Sequence, residues 1–261
     1  MTFKVVIPAR FASARLPGKP LLELAGRPMI QWVIQSARRS RADEVLVATD
    51  DARVFAAAFD PAQPEHNLGI ITDAAHASGT DRIAEVARTL GWSAKTIVVN
   101  VQGDEPQLPS LLIDQVAGLL QAHPDADLAT LATPITNVQE LLDPNVVKVV
   151  TTDGGEALYF SRAPIPWHRE HASAGWVSQS RCDGARRHLG IYAYRVDALQ
   201  RLTELPPSTL EIAEKLEQLR ALQQGLRIIV ATASVVPGMG VDTEHDLAAV
   251  RRSLAAAAAA E

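Results

Sequence analysis

Pro8-Ala9-Arg10-Phe11-Ala12-Ser13-Ala14-Arg15-Leu16-Pro17-Gly18-Lys19-Pro20 is the stretch whose reading decides the fold. It follows Phe3-Lys4-Val5-Val6-Ile7, a short apolar run of the kind that forms a buried strand. The chain then turns through a loop carrying Arg10, Arg15 and Lys19, punctuated by Pro8, Pro17, Gly18 and Pro20. Pro28 stands where a helix to about Arg39 begins, proline being suited to the first helical turn. In an open parallel sheet, ligands bind beyond the carboxyl ends of the strands, commonly at the first turn. Three cations held there on a proline-stiffened loop call for a polyanion, and a triphosphate is the obvious candidate. A merely solvated basic loop would carry the same charges, but it would not need the four punctuating residues.

Outward from this loop, apolar strand-like runs alternate with helical spacing. That alternation predicts an α/β fold, a mainly parallel central sheet with helices on both faces. Strands are expected at 44–50, 69–72, 96–101, 128–135, 146–152, 158–161, 189–194 and 226–232, with a hairpin-type turn at Asp153-Gly154-Gly155. Helices are expected at 52–60, 81–90 and 109–122, and as one amphipathic stretch at 210–223 carrying Ile212, Leu216, Leu219 and Leu222. Residues 61–67 and 164–187 read as loops, and Thr243 caps a last helix that runs into an alanine tail.

The chain has 261 residues, 47% hydrophobic, enough for one large domain or a domain with a sub-domain. A net charge of −5 offers no global basic field for nucleic acid or an anionic membrane, which makes the local basic loop more telling. The single cysteine, Cys182, excludes an internal disulfide. With no apolar run of spanning length and no signal-peptide layout, the expectation is a soluble cytoplasmic protein.

Several further segments carry chemistry. Asp104 in Gln102-Gly103-Asp104-Glu105-Pro106 sits at a strand's carboxyl end, past a glycine that lets a ligand approach the backbone. Mg²⁺ favours one or two protein carboxylates plus phosphate oxygens, so Asp104 suits it, although a turn-capping aspartate would look the same. Asp242, just before the last helix, is equally a helix cap or a ligand by its own sequence. His76-Ala77-Ser78-Gly79-Thr80-Asp81-Arg82 opens a helix with hydroxyls and N–H groups available to a base or ribose, or it is an ordinary N-cap. His168 and His171 stand three apart without a third ligand at suitable spacing, which favours a solvated loop over zinc. Arg186-Arg187-His188 is either an anion-binding cluster or exposed charge.

Taken together, PARFASARLPGKPL, VATDD, HASGTDR, VNVQGDEP, NVVKVV, LYFSRAPIPW, RHLGIYAYR, LEIAEKLEQLR and VPGMGVDT, in this order along nearly the whole chain, resemble the 3-deoxy-manno-octulosonate (Kdo) cytidylyltransferases. Departures at 60–67, at 168–186 and in the alanine tail fall on no motif. The resemblance implies a Rossmann-like nucleotidyltransferase fold over residues 1–261, with a dimerisation and sugar-binding sub-region at about 127–205. It implies CTP and Kdo as substrates, CMP-Kdo and pyrophosphate as products, Mg²⁺ as cofactor and a homodimer. By the same resemblance Arg10, Lys19 and Asp104 are catalytic, and Pro8, Ala9, Arg10, Arg15, Lys19, His76, Ser78, Gly79, Arg82 and Gln102 meet the nucleotide. Gln102, Arg162, His188, Tyr192, Glu217 and Gln218 would surround the sugar, and Asp104 and Asp242 would ligate the metal. The rivals are a sialic-acid cytidylyltransferase, whose loop usually has a Gly-Ser-Lys core, a hexose-1-phosphate nucleotidyltransferase, and a catalytically silent nucleotide-binding regulator.

Overall fold

The computed structural model describes residues 2–12, 16–60, 62–171 and 179–258. Among them, nine strands form one sheet: β1 (Lys4–Pro8), β2 (Glu44–Thr49), β3 (Gly69–Ile71), β4 (Ile97–Asn100), β5 (Leu128–Pro134), β6 (Lys148–Thr151), β7 (Ala157–Ser161), β8 (Arg186–Arg195) and β9 (Ile228–Thr232). β1 lies between β2 and β4, parallel to both, and β3 continues the parallel half. β8 is antiparallel to β4 and β5, while β9 runs parallel to β5. β6 and β7 form an antiparallel pair closed by the expected turn, where Gly155 has φ +85°. The helix-flanked α/β sheet expected from the alternation is the one observed.

The central strands are apolar at consecutive positions because both sheet faces are covered. Val5, Ile7, Val45, Val47 and Val99 enter one core with Ile30, Val33 and Ile34 of α1 (Met29–Arg38) and Leu112, Ile113 and Val116 of α4 (Ser110–Ala122). The alternate residues Val6 and Val98 enter a second core with Ile83 and Val86 of α3 (Gly79–Thr89). Between the two in sequence lies α2 (Ala52–Ala57), whose first turn is held by the Asp51 carboxylate accepting from the Arg53 N–H. The N-terminus of α3 is fixed by a reciprocal cap: Ser78 Oγ accepts from the Asp81 N–H, and the Asp81 carboxylate accepts from the Ser78 N–H.

Four expectations need correction. The helix expected at 52–60 stops at Ala57, and the loop expected at 61–67 contains a strand, Gln63–Asn67, paired with Phe59–Asp60. Tertiary contacts hold that hairpin: Gln31 donates to the Ala57 and Phe59 carbonyls, and Asp60 pairs with Arg38 at 2.8 Å. The single helix expected at 210–223 is two, α7 (Thr209–Glu214) and α8 (Gln218–Gln223), separated by Lys215 in the left-handed region at φ 55°. There the Glu214 carboxylate accepts from Ser161 Oγ at 2.6 Å and from the Arg162 N–H at 2.8 Å. Those bonds hold the end of α7 on β7, and the break turns Glu217 and Gln218 inward. Two helices were not foreseen: α5 (Val138–Leu142), capped by Asn137, and α6 (Val196–Glu204), whose Val196, Ala198, Leu199 and Leu202 are buried. Short helices show too few turns for their spacing to stand out. The last helix, α9 (Glu244–Ala258), begins after Thr243, whose Oγ1 accepts from the Asp246 N–H. No helix among the described residues is long and apolar enough to cross a membrane.

Candidate active site

The carboxyl ends of β1 and β4 meet at one cavity of about 330 Å³. Gly18, at φ 68°, turns the first loop so that Lys19 points back over the strand ends. Gly103 lets the loop after β4 lie against it, since a Cβ there would stand 3.0 Å from the Pro8 carbonyl oxygen. Lys19 Nζ donates to Asp104 at 2.6 Å and to Asp242 at 3.1 Å. Two aspartates far apart in sequence, expected from the resemblance to share a metal, are thereby brought to one cation.

Pro8, Ala9, Arg10, Lys19, His76, Ser78, Gly79, Arg82 and Gln102, each expected at the nucleotide, all line this cavity, and Asp104 and Asp242 line it too. Arg15 lies outside the described residues. Arg82 is almost fully buried and is held by Asp50 at 2.7 Å, by the Thr72 hydroxyl and by the Asp73 carbonyl. It therefore builds the wall more than it reaches into the space. His76 is oriented by Glu85, 2.6 Å away.

A second cavity, about 450 Å³, shares Gly79, Gln102 and Asp242 with the first. His188, Tyr192, Glu217 and Gln218 line it, as expected of the sugar residues, together with Glu105, Asn100, Asn145 and Arg187. Arg162 does not line it; its guanidinium donates to the Glu214 and Pro144 carbonyls and so shapes the α7–α8 break. An aromatic stack, Phe160–His188–Tyr192–Tyr194, runs along one side with centroid spacings of 5.0, 5.2 and 5.7 Å. The Tyr192 hydroxyl is buried without a hydrogen-bond partner among the described residues. The nearby Thr130 hydroxyl is already engaged with the Leu189 and Ile191 carbonyls and with His188 Nε2 at 3.0 Å. A buried polar group left this way favours a ligand that supplies the missing bond.

Burial sets the protonation states here. It pushes Glu105 up to about 7, helped by repulsion from Asp104 and Asp242 and opposed by Arg187. Glu217 is raised for the same first reason. Burial drives His188 down to about 3, so the imidazole is neutral near pH 7.

The cytidylyltransferase family model matches residues 4–228. The 3-deoxy-manno-octulosonate cytidylyltransferase of Thioalkalivibrio sulfidiphilus is 52% identical over 256 residues, covering 98% of this chain and all of that protein. The one of Pseudomonas fluorescens is 54% identical over 254 residues, 97% of this chain and 98% of that protein. The chain belongs to this family. A solved CMP:2-keto-3-deoxy-manno-octonic acid synthetase in complex with CTP superposes with a TM-score of 0.85 at 40% identity, covering 97% of this chain and 98% of that one. A cytidylyltransferase from Leptospira borgpetersenii shares the fold alone, at 14% identity and a TM-score of 0.59. As a member of the family, the chain is a nucleotidyltransferase, and the two adjoining cavities suit a reaction that joins two substrates.

Three contributors were missed in the sequence. Glu105 was overshadowed by Asp104, although its place in the same loop was a signal. Asn145 stands out in the sequence only as part of the NVVKVV motif. Lys148 is fully buried, with its ammonium donating to the Asp143, Val146 and Arg162 carbonyls. It ties the loop bearing Asn145 to the end of β7, and an apolar run interrupted by one lysine gave little hint of that.

Proposed function

We propose that this chain transfers the cytidylyl group of CTP to Kdo, giving CMP-Kdo for lipopolysaccharide synthesis and releasing pyrophosphate. The observation that carries this reading is the meeting of Lys19, Asp104 and Asp242 where the two cavities join. CTP fits the first cavity, with its triphosphate toward Arg10 and Lys19, and the sugar fits the second. The anomeric hydroxyl gives up its proton to solvent as its oxygen bonds to the α-phosphorus, the α–β phosphoanhydride bond breaks, and pyrophosphate leaves with the electron pair. Such a reaction needs positioning and charge neutralisation above all. Arg10 and Lys19 neutralise charge growing on the phosphates. Gln102 lines both cavities and is placed to hold the two reactants in register. Neutral His188 and the Tyr192 hydroxyl offer hydrogen bonds to sugar hydroxyls without adding charge.

Asp104 and Asp242 would hold Mg²⁺: both are hard oxygen donors, both already converge on one cationic atom, and the phosphates would complete the shell. Bound there, the ion would supply Lewis-acid charge neutralisation between two anionic substrates. Dependence on CTP also supports a cytoplasmic enzyme.

A homodimer is part of the proposal. β7 is an edge strand of the sheet, and its Leu158 is 60% exposed. Trp167, Leu210 and Ile212 are also exposed, and Glu214 ties the end of α7 to β7. Exposed apolar side chains beside a free edge favour a covering partner. Light scattering at micromolar concentration should give twice the chain mass; a monomer mass would remove the dimer.

The test of the activity is pyrophosphate release from CTP across a panel of sugar acids. Release with Kdo and not with sialic acid is expected; the reverse would overturn the substrate.

A further inference from the structure

The second cavity has a charge problem that points to one residue. Glu105, Glu217 and Asp242 line it, three carboxyl groups of which Asp242 is already paired with Lys19 at 3.1 Å. Among the described residues, the only cationic side chain lining it is Arg187. The other cations nearby are committed elsewhere. Lys148 Nζ is spent on three backbone carbonyls, the Arg162 guanidinium on the Glu214 and Pro144 carbonyls, and Arg186 on the Thr151 hydroxyl at 3.2 Å. His188, neutral, brings no charge.

Arg187 itself is available. It lies on β8, opposite Lys148 of β6 on one side and Thr133 of β5 on the other. Its side chain is 51% exposed and its ion pair is with Glu140 of α5, at 3.4 Å. That pair is long and lies at the rim, the kind that gives way readily to a better partner. A guanidinium presents two parallel N–H donors that match a carboxylate, and inside a cavity such a pair is worth more than at the rim.

We infer that Arg187 is the specificity-determining residue for the acid group of the sugar, exchanging Glu140 for the substrate carboxylate. The inference rests on the proposed Kdo reading and deepens it. In Kdo the carboxylate is carried by the anomeric carbon, the atom bearing the attacking hydroxyl. A guanidinium that holds the carboxylate therefore also orients the nucleophile, while discriminating against neutral sugars, which offer Arg187 nothing in exchange for Glu140.

The test combines two variants with two ligands. Pyrophosphate release is measured for wild type, Arg187→Ala and Arg187→Lys, with KM determined separately for Kdo and CTP. The inhibition constants of 2-deoxy-Kdo and its C1 carboxamide are measured on the same proteins. Arg187→Ala should lower kcat/KM for Kdo by about ten- to a hundredfold, with KM for CTP within about twofold of wild type. Arg187→Lys should recover part of the loss, keeping charge but not the fork. Wild type should prefer the acid over the carboxamide, and Arg187→Ala should bind the two alike. An unchanged preference in Arg187→Ala would overturn the inference, as would equal losses for Kdo and CTP, which mark a general defect. A wild-type protein that releases no pyrophosphate with Kdo overturns the substrate reading itself.

Discussion

Replacing Lys19 with methionine separates catalysis from stability more cleanly than any other single change. Methionine keeps most of the aliphatic stem, which is buried down to a side-chain exposure of 11%, and removes only the charge. The two partners, Asp104 and Asp242, have side chains 37% and 57% exposed. Solvent screens both pairs, so their combined worth to the fold is about 1 kcal/mol or less. For a chain of this size, 1 kcal/mol shifts Tm by about 2–4 °C. Catalysis should suffer far more. With CTP bound, the ammonium faces phosphate oxygens in a narrow cavity, and losing one such contact typically costs about a hundredfold or more in turnover, equivalent to about 2.7 kcal/mol. Pyrophosphate release at saturating CTP and Kdo measures the first effect, and thermal melting measures the second. The expected result is a large loss of kcat in a protein melting within about 4 °C of wild type. Turnover within about threefold of wild type would refute the role of Lys19 in phosphate chemistry. A collapse in Tm would refute the assignment of its ion pairs as minor.

Two further outcomes follow from the same geometry. Asp104→Asn and Asp242→Asn should each reduce turnover by about a hundredfold, with the double variant little worse, because groups sharing one ion act as a unit. Normal turnover of Asp242→Asn at limiting Mg²⁺ would exclude the shared ion and leave Asp242 as no more than a partner of Lys19. The buried His188 makes stability depend on pH. Its pKa falls from 6.5 to about 3 on folding, so between those values the unfolded chain binds the extra proton and stability declines as pH drops below 6.5. His188→Gln should remove up to one proton from that dependence, about 1.4 kcal/mol per pH unit at most. Urea melts at pH 7 and pH 5 test it: a loss between the two as large in the variant as in wild type would show that His188 is not held neutral.

The sequence by itself determined the sheet and the place of the site. Val5, Val6 and Ile7 are apolar in succession because strands covered on both faces have no solvent side, and that local pattern needs no tertiary knowledge. The cations after β1 and the Gly-Asp after β4 announced their chemistry because strand ends are where an open sheet leaves room for ligands. The structure alone decided where distant or interrupted segments went. The spacing of Ile212, Leu216, Leu219 and Leu222 is as helical as any in the chain. Yet the helix breaks at Lys215, because Ser161 and Arg162 hold Glu214 and nothing local records those bonds. The same holds for Arg162, which the family resemblance placed at the sugar and whose guanidinium is instead spent on the Glu214 and Pro144 carbonyls. Asp242 could be a cap or a ligand until it was seen beside Asp104 on one lysine. Periodicity reports which side of an element is buried; which charges share a partner depends on distances between residues far apart in the chain, and only folding sets those distances.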